Sequence, residues 1–456
     1  LRRVTGTLVS GTRAHRLPRT ALTADLLTPG GRFLMPRGTR LARSHLTTLA
    51  GWGLSEVEVA GDMSPEASGG DPGDAPRCHA PDKPAPDKPA AADFLDQAME
   101  ATRSRFVFVD LREPMAAAVF RICVARAARR LARAAQDEAA QPEPPKSPAD
   151  AAPRNTPADA AAPAQSAEDL LRGDPQLASL PEVFARINAV LRDPHSTVED
   201  AARIIGADPS LSAKLLMLVN STFYSRASRA VEKRFPAKVD SLTRAVMIVG
   251  GKQLATLALG VSVLPLFRDI PPEYVNMKAF WKHSIGCGMV ARALAMHVGV
   301  QGEESYFVAG LLHDIGRLVL YKQLPGPSGA ALRRSREEVS TLTAAEKEIF
   351  AFDHGLLGGL LLRKWQYPAV LEKMVRYHHD LSEPLFIEEP AVIHVADFLV
   401  NALEIGTSGE WRVPALLPEA VEALSLSPAD LKDLVSGVEE RIEEVFTSFF
   451  PGDEEA

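Results

Sequence analysis

Two stretches of this chain carry too few large apolar side chains to form a core, and they divide the sequence into separate blocks. The first, residues 61–92, is rich in proline and contains a short imperfect duplication, and the second, residues 136–167, is mainly alanine, proline and acidic residues. Proline removes backbone donors, and so little apolar area cannot offset the entropy lost on ordering. We therefore predict two disordered Pro/Ala-rich segments, an insertion at 61–92 and a linker at 136–167.

The block before the linker combines strand and helix patterns. Runs typical of strands occur at residues 32–35, 56–59 and 105–111, with turn glycines before the first run (30–31) and after the second (61). A helical pattern follows over Met115–Ala135, behind a proline at a position that a first helical turn tolerates. We predict that residues 1–60 and 93–135 form one small α+β accessory module, with 61–92 as an excursion from it.

After the linker the apolar residues recur at helical spacing, as in the series Leu211, Leu215 and Leu218. Strands and helices do not alternate, and no GxGxxG, Walker or GxSxG sequence occurs. These absences argue against the nucleotide-binding folds and serine hydrolases that such motifs mark. We predict a mainly α chain, with an all-helical domain at 168–405 and a helical extension at 406–456.

Charge and cysteine content exclude several classes of protein. A net charge of −7 over 456 residues argues against a generally basic nucleic-acid binder. The cysteines, Cys78, Cys123 and Cys287, have no CxxC spacing, so we expect a reducing compartment and no thiolate in a metal site. The longest charge-free apolar run, Leu254–Phe267, is shorter than the roughly 20 residues of a membrane-spanning helix. The N-terminus lacks the apolar core of a secretory signal, so we expect a cytoplasmic protein.

Metal-capable side chains recur in order along the second half of the chain, in five separate helical segments. They are His283, His313, Asp314, His354, His378, His379 and Asp397. Helical bundles build metal sites from side chains that converge in this way. Imidazole with one or two carboxylates suits Fe, Mn or Zn better than Mg or Ca, and Asp314 has two oxygens with which to bridge. The sequence predicts a divalent metal site and no organic cofactor. The alternative is that these histidines are packing residues, hydrogen-bonded in a core.

At this point the chain resembles the HD superfamily of metal-dependent phosphohydrolases, and more closely its HDOD branch, over residues 168–405. The motifs that carry the resemblance are Leu180-Pro181-Glu182-Val183, Ala207-Asp208-Pro209-Ser210-Leu211, Val219-Asn220-Ser221-Thr222-Phe223-Tyr224, Gly310-Leu311-Leu312-His313-Asp314-Ile315-Gly316 and Phe352-Asp353-His354. The resemblance implies an all-helical HDOD fold.

The resemblance also implies roles for the metal-capable residues. The first-metal positions correspond to His283, His313, Asp314 and Asp397, and the second-metal positions to His354 with either His378 or His379. The cyclic-dinucleotide phosphodiesterases of the HD-GYP branch carry Gly-Tyr-Pro after their paired histidines, and this chain does not. It also has Arg317 where those enzymes have lysine. Candidate catalytic residues are Asp314 and Arg317.

HDOD proteins are mostly regarded as regulatory modules fused to sensory domains. The resemblance therefore implies a bacterial signal-transduction protein that acts by binding proteins or a ligand. We expect signalling proteins as partners, with a nucleotide or a phosphorylated small ligand as a further candidate, and neither a membrane nor nucleic acid. The alternative is an enzyme, a metal-dependent phosphohydrolase acting on a nucleotide or cyclic dinucleotide.

Overall fold

The fold is taken from a computed structural model of the chain. It describes residues 4–7, 21–22, 26–27, 33–35, 56–60, 91–138, 166–172, 182–193, 195–221, 239–267, 269–382 and 387–450. Two compact units are distinguished, one comprising Leu1–Glu100 with Ala125–Pro142 and the other Ala101–Val124 with Glu143–Ala456. Most of the two segments predicted to be disordered lies outside the described residues.

Short strands near the N-terminus form two antiparallel sheets. The strands are β1 (Val4–Thr7), β2 (Ala21–Leu22), β3 (Leu26–Leu27), β4 (Phe33–Met35) and β5 (Glu56–Ala60). One sheet has the order β1-β5-β2, and the other pairs β3 with β4. The strand patterns at 32–35 and 56–59 correspond to β4 and β5, so those two predictions are confirmed.

The next strand prediction, at 105–111, is wrong. Helix α1 (Ala91–Arg105) and helix α2 (Pro114–Glu138) flank this segment, which forms turns. The amide of Phe106 donates to the carbonyl of Thr102, and that of Val109 to the carbonyl of Phe106. The Phe106 ring is buried edge-on against Phe120, with 5.3 Å between centroids. Phe106 and Val109 are thus buried in a segment of turns, and not by sheet pairing, while Val107 is exposed.

The predicted α+β module, residues 1–60 with 93–135, is not supported as one unit. Residues 101–124 belong to the second unit, where they contact the end of a later helix. Arg105 Nη2 donates to the carbonyl of Asn401 at 2.7 Å, and Cys123 Sγ donates to that of Ala402 at 3.1 Å.

The helices that follow the linker begin and end at recognisable local signals. They are α3 (Ala167–Arg172), α4 (Glu182–Arg192), α5 (Val198–Gly206), α6 (Pro209–Asn220), α7 (Leu242–Val249) and α8 (Gly251–Ser262), which a 3-10 turn (Leu264–Phe267) extends. Asp208 caps α6 by accepting from the amide of Leu211 at 3.0 Å. Gly250, at φ +96°, separates α7 from α8 with a backbone conformation that suits glycine.

A second group of helices carries the metal-capable residues. These are α9 (Met277–Val298), α10 (Glu303–Leu312), α11 (Ile315–Gln323), α12 (Pro325–Glu337), α13 (Leu342–Phe350), α14 (His354–Lys364), α15 (Ala369–Tyr377) and α16 (Glu388–Ala402). Three further helices, α17 (Pro418–Ala423), α18 (Leu431–Val435) and α19 (Val438–Phe449), lie in the extension. The described residues after 166 are thus helical, as predicted.

Glycines let these helices approach closely enough to bring distant histidines together. A Cβ at position 310 would lie 2.6 Å from the amide nitrogen of Gly288, so α10 packs backbone to backbone against α9. A Cβ at Gly316 would collide with the carbonyl of His354, so α11 meets the start of α14 in the same way. Only a residue without a side chain fits at such crossings.

Among the helices of the described residues, no single one is long and apolar enough to cross a bilayer. The segments Leu242–Val249 and Gly251–Phe267 reach that length and composition only as a pair, which is bent by 113°.

Candidate metal centre

All seven metal-capable residues of the sequence converge on one buried location. His283 lies within α9, and Asp397 lies within α16. The other five lie at helix ends: His313 and Asp314 in the break between α10 and α11, His354 at the start of α14, and His378 and His379 just after α15. Each of these side chains is buried except that of His379, which is half-buried.

The first cluster comprises His283, His313 and Asp397 together with one oxygen of Asp314. The two imidazole Nε2 atoms lie 3.4 Å apart. Oδ1 of Asp397 lies 3.2 Å from Nε2 of His283 and 3.3 Å from Nε2 of His313. Oδ2 of Asp314 lies 3.5 Å and 3.1 Å from the same two nitrogens.

The second cluster comprises His354, His378 and His379. Nε2 of His354 lies 3.4 Å from Nε2 of His378 and 3.1 Å from Nε2 of His379. Oδ1 of Asp314 lies 2.9 Å from Nε2 of His354. Asp314 therefore turns one oxygen toward each cluster, which is the arrangement of a bridging carboxylate.

The spacing of these atoms fits a metal ion in each cluster. An ion with bonds of about 2.1 Å to nitrogen and oxygen holds adjacent ligand atoms about 3.0–3.4 Å apart, in octahedral or tetrahedral geometry. The measured separations between first-cluster atoms are 3.1–3.5 Å, and those in the second cluster are 2.9–3.4 Å. Both clusters are thus sized for a first-row divalent ion.

Hydrogen bonds made by the other ring nitrogen orient three of the imidazoles. Nδ1 of His313 donates to the carbonyl of Gly310 at 2.8 Å, and Nδ1 of His378 to that of Val375 at 2.6 Å. Nδ1 of His354 donates to Oε2 of Glu346, also at 2.6 Å. Because carbonyls and carboxylates accept, each Nδ1 carries a proton and each neutral ring points an Nε2 lone pair into the centre.

These lone pairs face other acceptors, which is the strongest indication of a cation. Nε2 of neutral His354 cannot donate to Oδ1 of Asp314, and that buried oxygen has no hydrogen-bond donor. The same conflict exists between Nε2 of His313 and the carboxylates of Asp314 and Asp397. Acceptors that face each other in a dry interior are costly unless a proton or a metal lies between them.

In the absence of a metal, protons resolve the conflict. Burial lowers the pKa of His313, but Asp314 and Asp397 outweigh it and raise that pKa to about 10. Burial and Arg317 lower the pKa of His354, yet Glu346 and Asp314 raise it to about 9. Burial and the two protonated rings lower the pKa of His378 to about 3, so that ring stays neutral.

The pKa values of the two carboxylates are shifted downward. Burial raises the pKa of Asp314, but Arg317, His313 and His354 together hold it well below its usual range. Burial likewise raises the pKa of Asp397, and hydrogen bonds from the two neighbouring histidines hold it well below its usual range. Both side chains are therefore carboxylates, the form that binds a metal.

Arg317 is buried beside the centre and ties it to the surrounding chain. Its Nη1 donates to Oδ2 of Asp314 at 3.2 Å and to Oγ of Ser408 at 2.5 Å, and its Nε donates to Oε1 of Glu346 at 3.0 Å. The guanidinium therefore holds Asp314, and Glu346 in turn holds His354. These contacts are those of a positioning residue, whereas its candidacy as a catalytic residue stays a prediction.

Sequence reasoning missed three residues of this centre. Glu346 and Ser408 gave no local signal, because each reaches Arg317 or His354 only through the tertiary fold. Cys287 did give one, since it lies four residues after His283 on the same helical face. Its Sγ lies 3.6 Å from Nε2 of His283 and 3.9 Å from Oδ1 of Asp397. A thiol therefore adjoins the candidate site, which the cysteine spacing in the sequence did not indicate.

His394 is buried on α16, three residues before Asp397. Its Nδ1 donates to the carbonyl of His378 at 2.9 Å, and its Nε2 accepts from the amide of Leu417 at 3.0 Å. Burial lowers its pKa, so the ring is neutral. Both nitrogens are engaged, and His394 supports the backbone of His378.

Comparisons with known proteins agree with this architecture. A family profile described as the HDOD domain matches residues 177–381, inside the range predicted from the sequence. An HDOD domain protein of unknown function from Geobacter sulfurreducens has a crystal structure that aligns with a TM-score of 0.50 and 24% identity. The alignment covers 62% of this chain and 96% of that one. This likeness supports the fold.

A curated relative matches part of the chain. An uncharacterized protein of Treponema pallidum (strain Nichols) is 25% identical over 235 residues. The match covers 51% of this chain and 43% of the relative, so the chain spans less than half of that protein's length.

Proposed function

Since residues 177–381 form an HDOD domain, we propose that this protein is a signal-transduction regulator whose helical domain binds partner proteins or a ligand around a buried divalent metal centre. The observation that carries the metal is the pair of His/carboxylate clusters sharing Asp314, in which lone pairs face one another in a dry interior. Fe, Mn or Zn suits this donor set. The residues that would hold the first ion are His283, His313, Asp314 and Asp397, and Asp314 with His354, His378 and His379 would hold the second.

The burial of the ligand atoms favours a regulatory protein over a hydrolase. A catalytic metal keeps a coordination position open to water or substrate, whereas a structural site is closed. The ligand atoms here are enclosed, with His379 as the one half-buried member of the set. Signalling proteins are therefore the proposed partners, with a nucleotide or phosphorylated small molecule as the second class of ligand.

A metal-dependent phosphohydrolase is the second candidate. It is favoured by the two adjoining clusters, because paired ions with a bridging carboxylate can act on both oxygens of a phosphoester. When bound, such ions would supply a nucleophilic water and stabilise developing negative charge. Arg317 would then hold Asp314 in its bridging orientation without itself touching the substrate.

The experiment that tests the proposal is elemental analysis of protein purified without chelator. We expect about one or two Fe, Mn or Zn ions per chain, lost in the His313→Ala/Asp314→Ala double variant. The matched control is His297→Ala. His297 is a partly exposed histidine outside the centre, and its Nε2 lies 3.3 Å from Oδ1 of Asp430. It should keep the metal. Circular dichroism must show the same helical content in all three proteins.

Two results would decide between the candidates. Metal-loaded protein that leaves nucleotide and cyclic-dinucleotide substrates intact supports regulation. Hydrolysis that disappears in the double variant but persists in His297→Ala supports the enzyme. Metal-free protein with an intact fold would contradict the metal centre and leave the histidines as packing residues.

A further inference from the structure

The thiol of Cys287 lies where a metal ligand would lie. Cys287 and His283 are four residues apart on α9, so their side chains share one face of the helix. The Sγ is fully buried and lies 3.6 Å from Nε2 of His283 and 3.9 Å from Oδ1 of Asp397. Its two polar neighbours are thus themselves metal donors.

The distances match a coordination sphere that includes sulfur. With bonds of about 2.3 Å to sulfur and about 2.0–2.1 Å to nitrogen, tetrahedral zinc separates the two ligand atoms by about 3.6 Å. The ligand atoms of His283, Cys287, His313 and Asp397 all lie within 4.8 Å of one another. One ion can therefore reach two nitrogens, one oxygen and one sulfur.

A second buried cysteine shows what a structural thiol looks like in this chain. Cys123 Sγ donates to the carbonyl of Ala402 at 3.1 Å, within ordinary hydrogen-bonding range for sulfur. The Cys287 thiol instead has more distant neighbours, Nε2 of His283 at 3.6 Å and Oδ1 of Asp397 at 3.9 Å. The carboxylate would repel a thiolate unless a cation lay between them.

We propose that Cys287 is a thiolate ligand of the first metal position, together with His283, His313, Asp314 and Asp397. This inference rests on the proposed metal centre. The S–H proton leaves to solvent as the S–metal bond forms, and no change of oxidation state is involved. Soft thiolate favours Zn²⁺ or Fe²⁺ over Mg²⁺ and Mn²⁺ at this position.

A thiolate ligand would limit the access of water to the first metal position. With Cys287 added to His283, His313, Asp314 and Asp397, the first position would have five protein ligands, more than the three that a catalytic zinc site with an open position uses. The first position would then hold its ion without an open site for water. Any hydrolytic water would be confined to the second cluster, where the half-buried His379 lies.

Cobalt spectroscopy tests the proposal, because Co²⁺ bound to thiolate has a near-ultraviolet charge-transfer band that nitrogen and oxygen ligands do not produce. The Cys78→Ser/Cys123→Ser variant retains Cys287 alone, and it should show this band on loading with Co²⁺. The variant with Cys287→Ser added should lose the band while its visible Co²⁺ bands remain. Cys287→Ala in the same background provides a second test if the serine variant folds poorly.

The outcomes separate this proposal from the metal centre itself. A charge-transfer band that depends on Cys287 supports the thiolate ligand. Visible cobalt bands without charge transfer in the Cys287-only variant overturn the thiolate but keep the centre. A band that persists without Cys287 also overturns it. Failure of the folded chain to bind Co²⁺ at all overturns the centre and the thiolate together.

Discussion

The two halves of the metal centre are built differently, although they share Asp314. The first cluster joins two histidines to a second carboxylate, Asp397, and a thiol, and its histidines are fully buried. The second joins three histidines to a single oxygen of Asp314 and includes the half-buried His379. More negative ligand charge and less water favour the first position, so we expect its metal to be bound more tightly.

The secondary structure reinforces this difference. His283 and Asp397 project from the interiors of the long helices α9 and α16. The second cluster instead uses the first residue of α14 and the two residues that follow α15. Helix ends fray more readily than helix interiors, so the second position depends more on the contacts that hold its ligands in place.

The largest effect is expected from Asp314→Asn, because this side chain serves both positions. The amide keeps the size but removes the charge, so elemental analysis should find both metals lost. The metal-free protein should also lose roughly 3–5 kcal/mol of unfolding free energy, the usual cost of breaking a buried ion pair, here that of Arg317. Urea denaturation measures this cost. Retention of one full equivalent of metal would contradict the bridging role.

Asp397→Asn and His379→Ala should separate the two positions. We expect each to weaken one position by more than about 100-fold, since loss of a group outside the ligand set already costs about 10- to 100-fold. Calorimetric titration with Zn²⁺ should then show one site in each variant, the tighter one in His379→Ala. Asp430→Asn, a carboxylate paired with His297, is the control and should retain both sites. Equal residual affinities in the two variants would contradict the expectation that the first position binds its metal more tightly.

Glu346→Gln tests how far the second position depends on its support. Glu346 accepts from Nδ1 of His354 but makes no hydrogen bond to His283 or His313. We expect about 10- to 100-fold weaker metal binding at the second position and little change at the first. Competition with a chelator measures both affinities. A larger loss at the first position would show that Glu346 acts mainly through Arg317.

A smaller effect, about tenfold per pH unit for each proton displaced, is expected from pH. In the metal-free protein the pKa of His313 is raised to about 10 and that of His354 to about 9, so both rings are protonated near neutral pH. Metal must displace these protons, and affinity should therefore increase as pH rises from about 6 to about 8. Each position has one such histidine, so the ranking of the two should persist. Affinity independent of pH would contradict the protonated metal-free state.

Much of this centre was predictable from the order of metal-capable residues along the sequence. The seven metal-capable positions and the helices that carry them were predicted from the sequence, and the structure brings all seven together. The strand predicted at 105–111 is wrong, because this segment forms turns that bury Phe106 against Phe120 of α2. Helix α10 ends at Leu312, and the side chains of His313 and Asp314 in the break that follows both reach the centre.

The candidate ligands and the helical character were thus predictable from the sequence alone, because residue type and local periodicity are properties of short segments. Only the tertiary structure decided which oxygen of Asp314 faces which cluster, that Glu346 and Ser408 surround Arg317, and that Cys287 lies beside the first cluster. These contacts join residues up to 110 positions apart, and they depend on the close approach of helix backbones at Gly310 and Gly316.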